Sequence, residues 1–366
     1  MSSQSRLAAF TASLLPAAID VSVTDYCNAD CDFCGFAKSK MKGKPRHFID
    51  ADEFVRALPI LAERGISLVD FQGGEPLLHP EIIRMVSAVR DHGMKTNLIT
   101  NGWSLPTHAR ELAGAGLKAL FISIDSHDMA LHEKNRGLKG VEERIKDGIA
   151  LMSTYGIPVM ASVTVSRLVD MRRLPDTLGA LGFSGVTFSY PRREAFESSS
   201  LVFNENSELI DFTDAELIAV LDQILEMKKE FPVLNPTASV QDIQRHIRGE
   251  KEHFPCVGGF KYFYMDWELN VWRCEAWNKP MGSVFDFAKL PDDRTKCTAC
   301  TMSCYRDSST MMFAPLAASA ALDKLTHAEP VQAVKTLFDP RVMESAKSAM
   351  QEAGLLLRMC KGYARS

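Results

Sequence analysis

Several things are scarce in this chain of 366 residues, and each scarcity narrows what it can be. No apolar run reaches the roughly 20 residues that a membrane-crossing helix needs, so a membrane span is not expected. Charge imbalance is small, since 42 Lys and Arg against 46 Asp and Glu leave a formal charge of −4. That composition supplies no electrostatic reason for a nucleic-acid partner. Low-complexity stretches are missing, and the only repeated pattern is an alternation of short strands with helices. With 46% hydrophobic and 24% charged residues the composition is that of a soluble globular protein, long enough for one large domain and a smaller one.

Cysteine is not scarce, but nine are too few for a secreted disulfide scaffold of this length. They fall in two clusters plus a single Cys360, a metal-like distribution that points to a reducing cytoplasm. Cys360, among Leu355 to Met359, reads as a core thiol. The segment Leu7 to Ala18 is apolar, follows Arg6 and faintly resembles a signal peptide. Its single basic residue, with Thr11 and Ser13 inside the run, favours a short helix packed on the main domain.

The first cluster is Cys27-Asn28-Ala29-Asp30-Cys31-Asp32-Phe33-Cys34, three thiols within eight residues. A loop of that length can wrap a cubane iron–sulfur cluster with three thiolates and leave one iron open to a reactant. The rival occupant is zinc, which wants four closed ligands. No fourth Cys or His lies close by, His47 being the nearest.

Between residues 19 and 190, β-branched runs alternate with helical patterns. The pattern predicts strands over Ile19 to Thr24, Ser67 to Phe71, Thr96 to Thr100, Ala119 to Ile124, Val159 to Val165 and Val186 to Tyr190. Helices are expected over Ala51 to Arg64, capped by Asp50, then Pro80 to His92, Thr107 to Ala115, Val141 to Tyr155 and Leu174 to Leu181. Six successive strand–helix units imply a parallel sheet with helices outside, an incomplete barrel of the (β/α)6 TIM-like kind. The polar motifs fall just after strands, on the face where the loops of a parallel barrel converge. Residues 191–215 read as a long surface loop, Thr213 to Phe231 as a helix, Phe260 to Trp272 as a β-hairpin, and everything after residue 311 as helical. The expected units are an N-terminal helical extension (1–18), the barrel (19–235), a small cluster-binding module (236–310) and a helical tail (311–366).

The triple-cysteine spacing, with an aromatic residue just before the last thiol, resembles the signature of the radical S-adenosylmethionine enzymes. The resemblance implies a [4Fe–4S] cluster on Cys27, Cys31 and Cys34, with S-adenosylmethionine chelated at the open iron. Electron transfer would then release a 5′-deoxyadenosyl radical. Gly73-Gly74-Glu75-Pro76 is similar to the family's glycine-rich motif, which implies that backbone and carboxylate hold the amino group of S-adenosylmethionine. Ser123 and Asp125 resemble the position that contacts ribose, Asn101 ends strand three, and Ser162 with Arg167 is expected near the carboxylate of S-adenosylmethionine. Phe33 is expected over the adenine or the cluster. Strand-closing and turn roles compete with the functional one at Ser123, Asp125 and Asn101.

The second cluster, Cys256, Cys274, Cys297, Cys300 and Cys304, flanks and follows the proposed hairpin. It looks like the twitch module of some radical S-adenosylmethionine enzymes, with an overlap to the longer SPASM module. That likeness implies an auxiliary [4Fe–4S] cluster on Cys256, Cys274, Cys297 and Cys300, with a zinc ribbon as the alternative. Cys304 is then spare, either an unused ligand or a hydrogen donor. Arg192 and Arg193 follow strand six and suit an anionic group on a substrate, against the reading of a solvated pair beside Glu194 and Glu197. The expected partners are a small-molecule substrate and an external one-electron donor such as flavodoxin or ferredoxin. The expected chemistry is hydrogen abstraction for net oxidation. Its alternatives are redox-neutral epimerisation or rearrangement, adenosyl addition, and maturation of a ribosomal peptide.

Overall fold

The computed structural model describes residues 15–191, 207–250, 254–295, 297 and 300–363, the side chains of 356–363 excepted. Strands β1 (Ala17–Ser22), β2 (Ile66–Gln72), β3 (Lys95–Thr100), β4 (Ala119–Ile124), β5 (Val159–Thr164) and β6 (Gly185–Ser189) pair in parallel with their sequence neighbours. Between them run helices α1 (Ala51–Glu63), α2 (Ile82–Asp91), α3 (Leu105–Ala115), α4 (Met129–Arg136), α5 (Val141–Thr154) and α6 (Leu174–Leu181). Asp50 caps α1 by accepting the Glu53 N–H at 3.0 Å. Helix α7 (Asp214–Met227) opens on a capping box between Thr213 and Glu216, and α8 (Thr237–Ile247) follows.

The hairpin exists, as β7 (Tyr262–Met265) and β8 (Asn270–Trp272), with a third strand β9 (Pro280–Ser283) that the sequence pattern missed. Asp266 builds its turn, its Oδ1 accepting the backbone N–H groups of Glu268 and Asn270 at 3.0 Å each. The hairpin is joined to the barrel, because β7 pairs in parallel with β1. The result is one nine-stranded open sheet in the order β6-β5-β4-β3-β2-β1-β7-β8-β9. Three helices end the chain, α9 (Ser303–Thr326), α10 (Pro330–Leu337) and α11 (Pro340–Tyr363). The expected helix over Leu7 to Ala18 is corrected at its end, where Ala17 and Ala18 belong to β1; residues 1–14 lie outside the described residues.

Period-two alternation decides what the barrel encloses. Leu120, Ile122 and Ile124 of β4 are buried under the helices, as are Val69 and Phe71 of β2. The opposite faces carry Asp20, Asp70, Asn97, Ser123, Ser162 and Thr187, and all six line a central cavity of about 350 Å³. Asp20 sits opposite Asp70, and Asp70 opposite Asn97, so the inner wall has a polar row. Most barrels of this kind fill their interior with branched apolar side chains. This one leaves room for something polar.

Candidate functional site

The loop after β1 is tied back on itself. The Asp25 carboxylate accepts the His47 backbone N–H at 2.7 Å and meets the His47 ring at 2.6 Å. Trp267, in the turn between β7 and β8, stacks on that ring with centroids 5.7 Å apart. Asp30 accepts the backbone and hydroxyl of Ser39 at 3.0 and 2.5 Å, closing the inner part. The thiols of Cys27, Cys31 and Cys34 all face the cavity, with Phe33 beside them. Burial pushes the Cys27 thiol up to about 12, with Glu75 adding to it, and raises Cys31 and Cys34 as well. These sulfurs ionise only where a bound cationic centre compensates them.

Gly73 and Gly74 dock this loop against β2. A Cβ on Gly74 would lie 2.2 Å from the Tyr26 carbonyl oxygen, and one on Gly73, whose φ is +117°, 2.5 Å from that of Thr24. The close approach lets Gly74 N–H donate to Thr24 at 2.7 Å and Glu75 N–H to Tyr26 at 2.8 Å. Both glycines line the cavity, and the buried Glu75 carboxylate lies within electrostatic reach of Cys27. That carboxylate accepts the Thr100 hydroxyl at 2.6 Å, the Asn101 N–H at 2.7 Å and the Leu77 N–H at 3.0 Å. These bonds pin β2 to the end of β3. Pro76 is buried at the start of a short 3-10 turn and does not line the cavity.

Asp125 is likewise spoken for. It accepts the Arg136 guanidinium at 2.6 Å and the Asn135 amide at 2.9 Å, and its backbone N–H donates to His132 at 3.1 Å. Burial alone would raise this carboxyl, but Arg136 and then His132 outweigh it and hold it below its ordinary value. Arg136, which the sequence reading passed over, lines the cavity beside the thiols. Burial opposes its charge, yet Asp125 and the facing Cys31 more than compensate, so it stays a fixed cation. Its helix α4 also braces the cysteine loop, since the Arg136 carbonyl accepts the Asp30 N–H at 2.8 Å. Asp128 as N-cap and Gly137 in the left-handed C-cap position were the signals that could have revealed α4.

Asn101 lines the cavity and donates to Asn28 of the cysteine loop at 2.7 Å. Ser123 and Ser162 line it too. Arg167 does not: its guanidinium bonds to the Asp211 carbonyl at 3.1 Å and to Glu216 at 3.0 Å, on the surface. Arg192 and Arg193 lie outside the described residues.

The second thiol group forms around the base of the hairpin. Burial raises the thiols of Cys256, Cys274 and Cys300, and Cys297, within electrostatic reach of all three, adds to each. Arg273, fully buried under Trp277, holds the approach to Cys297 through Asp293 at 2.6 Å and the Thr295 carbonyl at 2.6 Å. Cys304, in the first turn of α9, packs beside Cys256 and Cys300 and lines the cavity with Asp20 and Glu275. Among the described residues, Asp20, Glu275 and Cys304 are the trio of potential ligands whose donor atoms all lie within 4.8 Å of one another.

The Radical SAM superfamily matches residues 21–178. The chain is 28% identical over 281 residues to the AdoMet-dependent heme synthase of Methanosarcina barkeri, covering 71% of this chain and 76% of the relative. It is 28% identical over 167 residues to the heme synthase of Nitratidesulfovibrio vulgaris, where the match spans 44% of this chain and only 45% of the relative's length. The fold is similar to that of native anSMEcpe with bound AdoMet, with a TM-score of 0.57 at 13% identity over 92% of this chain and all of the other.

Proposed function

Starting from a chain that belongs to the radical SAM superfamily through residues 21–178, we propose that it abstracts hydrogen from a small-molecule metabolite for net oxidation, assisted by an auxiliary [4Fe–4S] cluster. When bound, the first cluster and S-adenosylmethionine supply the 5′-deoxyadenosyl radical; the chain's residues position, exclude water and manage protons. Cys27, Cys31 and Cys34 hold the first cluster, and Gly73, Gly74, Asn101, Ser123 and Ser162 offer the cavity surface for S-adenosylmethionine. Arg136 keeps a positive charge beside the thiolates. Cys256, Cys274, Cys297 and Cys300, in the unit spanning residues 236–310, hold the auxiliary cluster. An external one-electron donor is required, and among the described residues no helix is long and apolar enough to cross a membrane.

The observation that carries the reading is that one cavity runs from the first three thiols to Cys304, next to the second thiol group. A substrate radical formed there lies near an electron acceptor and near carboxyl groups able to take the accompanying proton. Iron and sulfide counts after anaerobic reconstitution test it: about eight irons per chain, falling to about four when Cys27, Cys31 and Cys34 become alanine. About four falling to none would remove the auxiliary cluster and the oxidation with it.

The position of Cys304 on the cavity wall favours a second reading, redox-neutral epimerisation with that thiol as hydrogen donor. Cys304→Ala separates them, because an oxidation survives it while an epimerisation stops after the first hydrogen abstraction. Maturation of a ribosomal peptide remains a further alternative, tested by deuterium transfer from labelled peptide or metabolite into 5′-deoxyadenosine.

A further inference from the structure

The cavity has a second wall that holding a cluster and S-adenosylmethionine does not explain. Asp20, Asp70, Glu275 and Asp307 all line it, against a single lining cation among the described residues, Arg136, whose charge Asp125 already answers at 2.6 Å. Asp20 and Asp70 face each other across β1 and β2. Asp70 lies two residues before Gln72, about 7 Å deeper in the barrel than the end of β2 that leads into the glycine motif. The first turns of α9 supply the facing side. Cys304 and Asp307 are three residues apart and share one helix face, Cys304 toward Asp20 and Glu275, Asp307 toward Tyr190.

Two polar atoms in this wall are buried and have no hydrogen-bond partner, Tyr190 Oη and Asp70 Oδ1. Tyr190 is 1% exposed, so neither bulk water nor a neighbour satisfies its hydroxyl. A buried polar group left this way costs about 1–3 kcal/mol, which a bound ligand recovers. The protonation of the wall tells the same story. Burial pushes Asp307 up to about 7, against hydrogen bonds from Ser239 and Asn235, and Asp70 up to about 6. Both carboxyls therefore hold their protons to a higher pH than free ones do, Asp307 despite Lys228 nearby.

We infer that this wall recognises a protonated amine, and that the substrate of the proposed reaction carries an aliphatic ammonium group bound between the inner face of β1–β2 and the start of α9. An ammonium brings the positive charge that four lining carboxyls lack and three N–H donors for Asp20, Asp70 and Asp307. The inference rests on the reading of this cavity as the substrate site.

The test uses the full chain, reconstituted and loaded with S-adenosylmethionine, and measures binding of n-butylammonium, n-butanol and butyrate by calorimetry. The ammonium should bind about tenfold tighter than either isostere, and Asp307→Asn should erase most of that preference. Should the Asn variant fail to fold, the wild-type ranking alone decides. Equal binding of the three probes, or preference for butyrate, overturns the inference. So does one extra equivalent of zinc or iron that is lost when Asp20→Asn and Glu275→Gln are combined, since the wall would then be a metal site. Uncoupled 5′-deoxyadenosine formation is measured in parallel. Its absence alongside amine preference would sink the proposed reaction and spare the wall, and its presence without amine preference would do the reverse.

Discussion

The two thiol groups solve one problem by opposite routes. Cys27, Cys31 and Cys34 sit on eight consecutive residues, so the ligand geometry is largely local, and the fold's contribution is to brace the loop with α4, the glycine pair and the Asp25–His47 tie. Cys256, Cys274, Cys297 and Cys300 come from the two flanks of a hairpin and the approach to α9, and they meet only when those pieces are packed. Each group has a buried arginine locked by an aspartate, Arg136 by Asp125 and Arg273 by Asp293. A site built on a loop is as robust as its bracing; a site assembled from distant pieces is as robust as the whole fold.

The sharpest break of that comparison exchanges which group is removed. Alanine at Cys27, Cys31 and Cys34 should abolish 5′-deoxyadenosine formation and leave the second group's iron in place. Alanine at Cys256, Cys274, Cys297 and Cys300 should lower thermal stability as well as iron content while retaining some cleavage; melting curves and iron assays on both variants read the difference. Next in size is Arg136→Met, which leaves the buried Asp125 carboxylate uncompensated and should cost about 3–5 kcal/mol in denaturant unfolding. Gly74→Ala forces a Cβ onto the Tyr26 carbonyl and should cost about 1–3 kcal/mol, with first-group iron lost before second-group iron. The smallest effect is in pH. Asp307 has its pKa raised to about 7 by burial, so the folded chain holds a proton that the unfolded chain gives up near pH 4. Stability from this group is full below pH 4 and is lost as pH rises through 7. Between pH 6 and 8 the melting temperature of the parent should fall by a few degrees (~2–4 °C) relative to Asp307→Asn.

What the chain disclosed in advance follows the same division. Strand β4 and helix α6 fall on the residues their patterns predict, because period two and apolar spacing are local properties. The cysteine loop and the Gly73-Gly74 pair were legible for that reason too. Helix α4 was not, since Met129–Arg136 is short and polar over its second half, and Arg136 went with it. Nor does a sequence name a carboxylate's partners: Glu75 meets the end of β3 and Asp125 meets Arg136. The partner of Arg167, Glu216, lies far along the chain and left no local signal. Asp20, Asp70 and Asp307 gave no signal alone; only strand register and the facing helix bring them to one cavity.

Strand β1 has two parallel neighbours, β2 and β7, and Ala18 pairs with Tyr262 across about 240 residues of chain. During synthesis one edge of β1 therefore stays open until the hairpin has emerged, roughly ten to fifty seconds after β1 itself at ordinary elongation rates. Through that interval the nascent chain presents an unpaired strand edge next to a loop of three free thiols, a template for wrong pairing. The order of events in biogenesis is thereby set by topology: the backbone must be complete almost to residue 272 before the first thiol loop has its final walls, and a ligand for that loop fits best once the hairpin has paired.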